Sequence, residues 1–231
     1  LVAETAGVDG REGYYADYCD HATEKLASAL HGGFIFQGQN DRRGHARGEP
    51  SGHLPTTAFI AFLQNHDQVG NRAMGERLIS LVDQKRLEAA TALLLLCPMI
   101  PMLFMGEELG ERNPFLFFTD HRDELADAVR EGRRSEFADF SHFKDEKTRA
   151  QIPDPNAVST FEQSVPSAGS GEDTEAALWR SRYMTLLDIR HAEIMPRLQG
   201  TRPMGAVPLG EGAVLAHWRM GDGTVLGLSL I

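Results

Sequence analysis

Cysteine is scarce in this sequence: Cys19 and Cys97 are the two among 231 residues. That leaves no disulfide framework. Cys97 closes the apolar run Leu93–Leu96 and reads as a buried reduced thiol, which implies a reducing compartment, the cytoplasm. No run reaches the roughly 18 consecutive apolar residues of a membrane-spanning helix, and no secretory signal is visible. Positive charge is also short, with 23 Lys and Arg against 33 Asp and Glu and a formal net charge of −10. Nucleic acid and anionic membranes both demand neutralisation by Lys and Arg, so neither is expected as a partner. An uncharged ligand fits better. Arg42, Arg43 and Arg47 form the only local basic cluster and read as a solvated loop. No His pair has metal-ligand spacing and no Gly-rich phosphate loop precedes a helix, so neither a metal nor a cofactor is expected.

The apolar pattern sets out the elements. Asp20–His31 carries Leu26, Ala29 and Leu30 at helical spacing, with Gly32-Gly33 as the stop. Phe34–Phe36 is a strand candidate, and Gln37–Thr57, rich in Gly, Pro, Arg and His, is a long loop. Phe59–Leu63 is apolar throughout, as a strand buried on both faces would be. Leu87, Ala90, Leu94 and Leu95 predict a helix, and Met99–Phe104 predicts the next strand. Strand, helix, strand units of this kind build parallel sheets. Residues 151–173 are rich in breakers, Trp179, Tyr183, Leu186 and Leu187 mark an amphipathic helix, and Gly221-Asp222-Gly223 reads as a hairpin turn between Ala213–Trp218 and Thr224–Ile231. No internal repeat is apparent.

The stretch with most chemistry is Phe59–Arg72, where the apolar run stops at Asn65, His66, Asp67 and Gln68. It resembles the strand-seven signature of the α-amylase superfamily, glycoside hydrolase family 13. Blocks similar to other parts of that family follow in its order: Gly13–Tyr18, Ile100–Glu108, Asn113–His121 and Val129–Arg134. The longer form Gln64–Leu78 is similar to the branch of the family acting on maltooligosyltrehalose.

The resemblance implies an α/β fold: residues 1–195 as the C-terminal part of a (β/α)8 TIM barrel after strand five, and residues 196–231 as the start of a small all-β C-terminal domain. A complete barrel typically needs about 250 residues, so the chain is expected to be a piece of a longer one. The implied activity is hydrolysis of the α-1,4 bond beside the terminal trehalose of maltooligosyltrehalose or a related α-glucan, with retention. Rival readings are another family 13 enzyme, such as a glycogen branching or debranching enzyme, and a non-catalytic glucan-binding module.

Glycoside hydrolysis passes through an oxocarbenium-like transition state between two carboxyl groups. By resemblance Asp67 is a third carboxylate, binding hydroxyls of the reacting sugar and stabilising its distorted form. An imidazole donates to hydroxyls, and amide side chains hold them, so His66, Asn65 and Gln68 are expected at the substrate; Gly70 and Asn71 either join them there or only shape the turn. Asp67 is also open to a blander reading, as a helix cap or the partner of Arg72. Glu107, with Glu108, follows the second predicted strand and either holds substrate hydroxyls or caps a helix. Phe115, Phe117 and Phe118 form either an aromatic platform for a sugar face or part of the core. Glu4 lies only 63 residues before Asp67, closer than the family's general acid, so acid and nucleophile are expected upstream of Leu1.

Overall fold

The computed structural model describes residues 16–167 and 174–231. Glu4 and the first part of the Gly13–Tyr18 block lie outside them. Its helices are α1 (Ala16–Cys19), α2 (Ala22–Gly32), α3 (His66–Gly70), α4 (Gln84–Leu96), α5 (Asp123–Glu136), α6 (Glu146–Arg149), α7 (Val158–Ser164) and α8 (Thr174–Ile189). The strands are β1 (Ile60–Ala61), β2 (Ile100–Pro101), β3 (Arg202–Gly210), β4 (Ala213–Arg219) and β5 (Val225–Leu230). The chain divides into two compact units. One gathers the described residues of Leu1–Leu63 with Lys85–Met102 and Arg182–Ile231, the other Gln64–Gln84 with Leu103–Ser181. The boundary expected between residues 195 and 196 falls inside the first unit.

In that first unit β1 and β2 pair in parallel, Ile60 with Ile100 and Ala61 with Pro101. Helix α4 connects them, as the apolar spacing predicts. The strands are short, two residues each, and the expectation of burial on both faces is corrected: Phe59 is buried, whereas Ile60 is 63% exposed. Two paired strands cover only one face and leave the other open among the described residues. Arg190, at the start of a π-helical turn (Arg190–Ile194), fastens this pair to its helix. Its Nη1 donates to the carbonyls of Leu95 and Cys97, and its Nη2 to that of Met99. Burial pushes the neighbouring Cys97 thiol up in pKa.

The strand expected at Phe34–Phe36 is absent. Gly33, at φ 85°, closes α2 with its N–H on the Ala29 carbonyl at 2.8 Å. The next two carbonyls are then taken by side chains: Gln37 Nε2 donates to Phe34 O at 2.8 Å and Ser28 Oγ to Ile35 O at 3.0 Å. Side-chain donors thus stand where ladder partners would. The long loop is partly ordered by a bridge between Asn40 and Ala46. Two of the arginines taken for a solvated cluster reach Asp17, Arg42 at 3.6 Å and Arg47 at 3.5 Å.

β3, β4 and β5 form an antiparallel sheet in that order. The predicted hairpin is present, with Asp222 Oδ1 accepting from Thr224 N and Oγ1 across the turn. Trp218, Ala216 and Val214 point into a core shared with Ala27 and Leu30 of α2 and with Phe59, Leu93, Cys97 and Met99. The alternating burial of β4 makes this possible, since every second side chain faces one side of a strand. No helix among the described residues is long and apolar enough to cross a membrane.

Candidate active site

The polar cluster predicted after the apolar run is folded into one turn of helix. Asn65, extended at φ −146°, caps α3: its Oδ1 accepts from Gln68 N at 2.8 Å, and its carbonyl from Val69 N at 3.0 Å. Asparagine suits this place because its oxygen replaces a missing helical partner, a cap of about 1 kcal/mol. His66 and Asp67 are the first two residues of α3, with side chains 71% and 74% exposed and His66 Nε2 3.4 Å from Asp67 Oδ1. The cap is Asn65, and Arg72 turns to Glu76 at 3.1 Å.

The other expected residues divide. Gln68 is half-buried and Asn71 is exposed on the same short segment. Gly70 is buried and its carbonyl accepts from Arg133, so it offers the turn its shape and not an open group. Glu107, expected either to hold substrate hydroxyls or to cap a helix, is likewise buried, at 9% exposure. Its Oε2 accepts from Gln64 Nε2 at 3.1 Å, and burial pushes its pKa up to about 7, against the pull of Gln64 and of the Arg77 charge.

Arg77 is wholly buried, its Nε donating to Asn113 O and its Nη1 to Met105 O, both at 2.7 Å. It also lies over the Phe104 ring at 4.9 Å. Burial lowers its pKa, while the charges of Glu111, Glu107 and Glu108 act the other way. The aromatic platform is only partly available. Phe115 sits edge-on between Phe104 and Phe118, Phe118 meets Phe161 edge-on at 5.3 Å, and Phe117 lies under Arg133.

Three residues central to this arrangement, Gln64, Arg77 and Arg133, show no role in the sequence alone. Their signal was weak. Each is a single polar residue with no chemical pattern around it, and only the family-like blocks in which they stand single them out. No group of three His, Cys, Asp or Glu side chains able to hold a metal occurs among the described residues.

Chemically, the exposed pair at the head of α3 presents a carboxylate and an imidazole side by side, a pattern that accepts from and donates to sugar hydroxyls. No protein-family profile matches the chain. Curated relatives do. A malto-oligosyltrehalose trehalohydrolase of Deinococcus radiodurans is 41% identical over 186 residues, 79% of this chain and 30% of its own length. That of Saccharolobus solfataricus is 40% identical over 182 residues, 78% of this chain and 29% of its own. That of a Rhizobium species is 33% identical over 221 residues, 94% and 36%. The chain thus spans about a third of the length of these relatives. A crystal structure of a candidate alpha amylase from Salmonella typhimurium superposes on 99% of the chain with a TM-score of 0.86 at 40% identity, covering 39% of that protein.

Proposed function

Because the chain belongs with the malto-oligosyltrehalose trehalohydrolases over the stretch it shares with them, we propose that it supplies one side of the active site of such an enzyme. The substrate is maltooligosyltrehalose, and the bond cut is the α-1,4 linkage beside the terminal trehalose. Residues 1–195 form the C-terminal part of a (β/α)8 barrel, and residues 196–231 open a β domain. The parallel pair β1 and β2 joined through α4 supports the barrel reading, since parallel strands need such a crossover.

In the mechanism that follows, a carboxylate from outside this chain attacks the anomeric carbon while a carboxylic acid protonates the departing oxygen; water then releases the glycosyl group from the enzyme with that same acid acting as base. Asp67 attacks nothing. It accepts hydrogen bonds from hydroxyls of the reacting ring, more strongly as the ring flattens and gains positive charge, and so favours the transition state over the bound substrate. His66 donates to a hydroxyl of the same sugar, and Gln68, Asn71 and the free amide of Asn65 line the approach.

The observation that carries the reading is the exposed His66–Asp67 pair on a capped turn, within a stretch about 40% identical to the trehalohydrolases. The cysteine pattern supports a cytoplasmic setting. The test is product analysis with maltotriosyltrehalose in the complete protein and in its Asp67→Asn variant. Trehalose is expected as the released disaccharide, and turnover should fall by about a thousandfold or more in the folded variant with little change in substrate binding. Near-normal turnover by Asp67→Asn overturns the role of Asp67. Equal cleavage of plain maltooligosaccharide, or transfer of branches, overturns the substrate. The 231-residue chain alone should release no trehalose.

A further inference from the structure

Arg133 stands near the C-terminal end of α5 and is 6% exposed. Its Nη2 donates to two carbonyl oxygens, those of Gly70 and Arg72, each at 2.8 Å. Its Nη1 meets Glu136 Oε2 at 3.0 Å, and its guanidinium lies over the rings of Phe137 and Phe117 at 4.7 and 5.2 Å. These contacts together with the three hydrogen bonds constrain the side chain. It is aimed at the end of α3, the five-residue helix whose first two residues are His66 and Asp67.

A helix of five residues cannot hold itself. Nucleation is costly and isolated helices below about 12 residues are marginal in water. Its last four carbonyls also have no partner within the helix. In α3 the N-terminal end is fixed by Asn65, and the C-terminal end is fixed by Arg133, since Gly70 is its last residue and Arg72 directly follows the Asn71 cap. A cation there also suits the partial negative charge of a helix C-terminus. One helical turn separates these carbonyls from the Asp67 carboxylate. Any shift of Gly70 therefore moves Asp67.

Resting on the reading of Asp67 given above, we propose that Arg133 is a positioning residue of the active site. Its planar fork holds the end of α3 and thereby fixes where the Asp67 carboxylate stands against the reacting sugar, without itself touching substrate. Lysine at this place keeps the charge but loses the planar group that meets two carbonyls while lying over two rings. Misplacement of a reacting group by about 1 Å costs on the order of a hundredfold in rate.

The experiment compares the wild-type complete protein with Arg133→Lys, Arg133→Met, Asp67→Asn and the double variant Asp67→Asn/Arg133→Lys, measuring kcat and KM on maltotriosyltrehalose alongside thermal unfolding. Arg133→Lys is expected to stay folded, to lose roughly 10- to 100-fold in kcat with KM within about threefold, and to have almost no effect on the residual rate of Asp67→Asn. If Asp67→Asn by itself retains turnover, the reading of Asp67 fails. If Asp67→Asn is inactive as expected but Arg133→Lys keeps its kcat, or lowers the rate equally in both backgrounds, the positioning role fails. Where Asp67→Asn has no measurable residual rate, the division between kcat and KM in Arg133→Lys decides, and a loss carried by KM overturns the proposal. Unfolding of both Arg133 variants overturns it too, because Arg133 would then hold the fold and not the turn.

Discussion

Gln64 donates from Nε2 to Glu107 Oε2 at 3.1 Å while its Oε1 accepts from the Leu78 backbone N–H at 3.1 Å. One buried amide thus ties together three segments: its own, just before the Asn65 cap; the turn that begins at Leu78; and the one after β2. Glu107 is the weak partner in this arrangement. Its Oε1 has no hydrogen bond among the described residues, which a buried carboxylate tolerates poorly and a protonated carboxyl tolerates better.

The pH dependence of stability follows from that burial. The pKa of Glu107 is raised to about 7 in the folded chain, from an ordinary value of 4.5. Between those two values the folded state keeps a proton that the unfolded chain has released, so stability falls as pH rises through the window and stays lower above it. The full loss is on the order of 3 kcal/mol. Glu107→Gln carries no such proton and still offers Gln64 an oxygen. Thermal unfolding of the variant should match wild type near pH 4.5 and exceed it at pH 8. A difference in Tm between the two proteins that is the same at both pH values would rule out a raised Glu107.

Arg190 should matter to stability more than its place in the sequence suggests. It is 3% exposed and donates to three carbonyls at the junction of α4 and β2. Arg190→Met orphans those acceptors, at a cost of about 3 kcal/mol or more. Arg190→Lys should recover part of it. Denaturant unfolding of the chain measures both, and a loss below about 1 kcal/mol for the methionine variant would show that the carbonyls find other partners.

Two glycines of the motif region are expected to behave differently. Gly75 has φ 61°, and a Cβ there would lie 2.6 Å from the Phe115 carbonyl oxygen, whose own residue donates its N–H to Gly75 O at 2.9 Å. Gly75→Ala combines a left-handed backbone with a clash and should cost about 2 kcal/mol or more. At Gly70 the Cβ would meet the Phe115 ring at 3.6 Å, an ordinary contact. Gly70→Ala should change stability by less than about 1 kcal/mol. Equal losses in denaturant titrations of the two variants would contradict this geometry.

What depends on neighbours along the chain is legible in the order of the residues. Apolar spacing and a glycine stop placed α2 and α4, aromatic and leucine spacing placed α8, and Gly221-Asp222-Gly223 placed the β4–β5 turn. Asn65, His66, Asp67 and Gln68 are adjacent, so a local cap is enough to gather them on one turn. The rest came from packing in three dimensions. It gave the carbonyls of Phe34 and Ile35 side-chain donors in Gln37 and Ser28 where a strand was expected, set β3 ahead of the hairpin within the stretch expected to be all-β, and exposed Ile60 where two-sided burial was expected. Above all it buried Glu107, Arg77, Arg133 and Arg190. In a sequence such residues read as surface, because charge favours water; they are kept inside only where distant backbone carbonyls, amides and ring faces converge to replace that water, and convergence of this kind is a property of packing, not of sequence order.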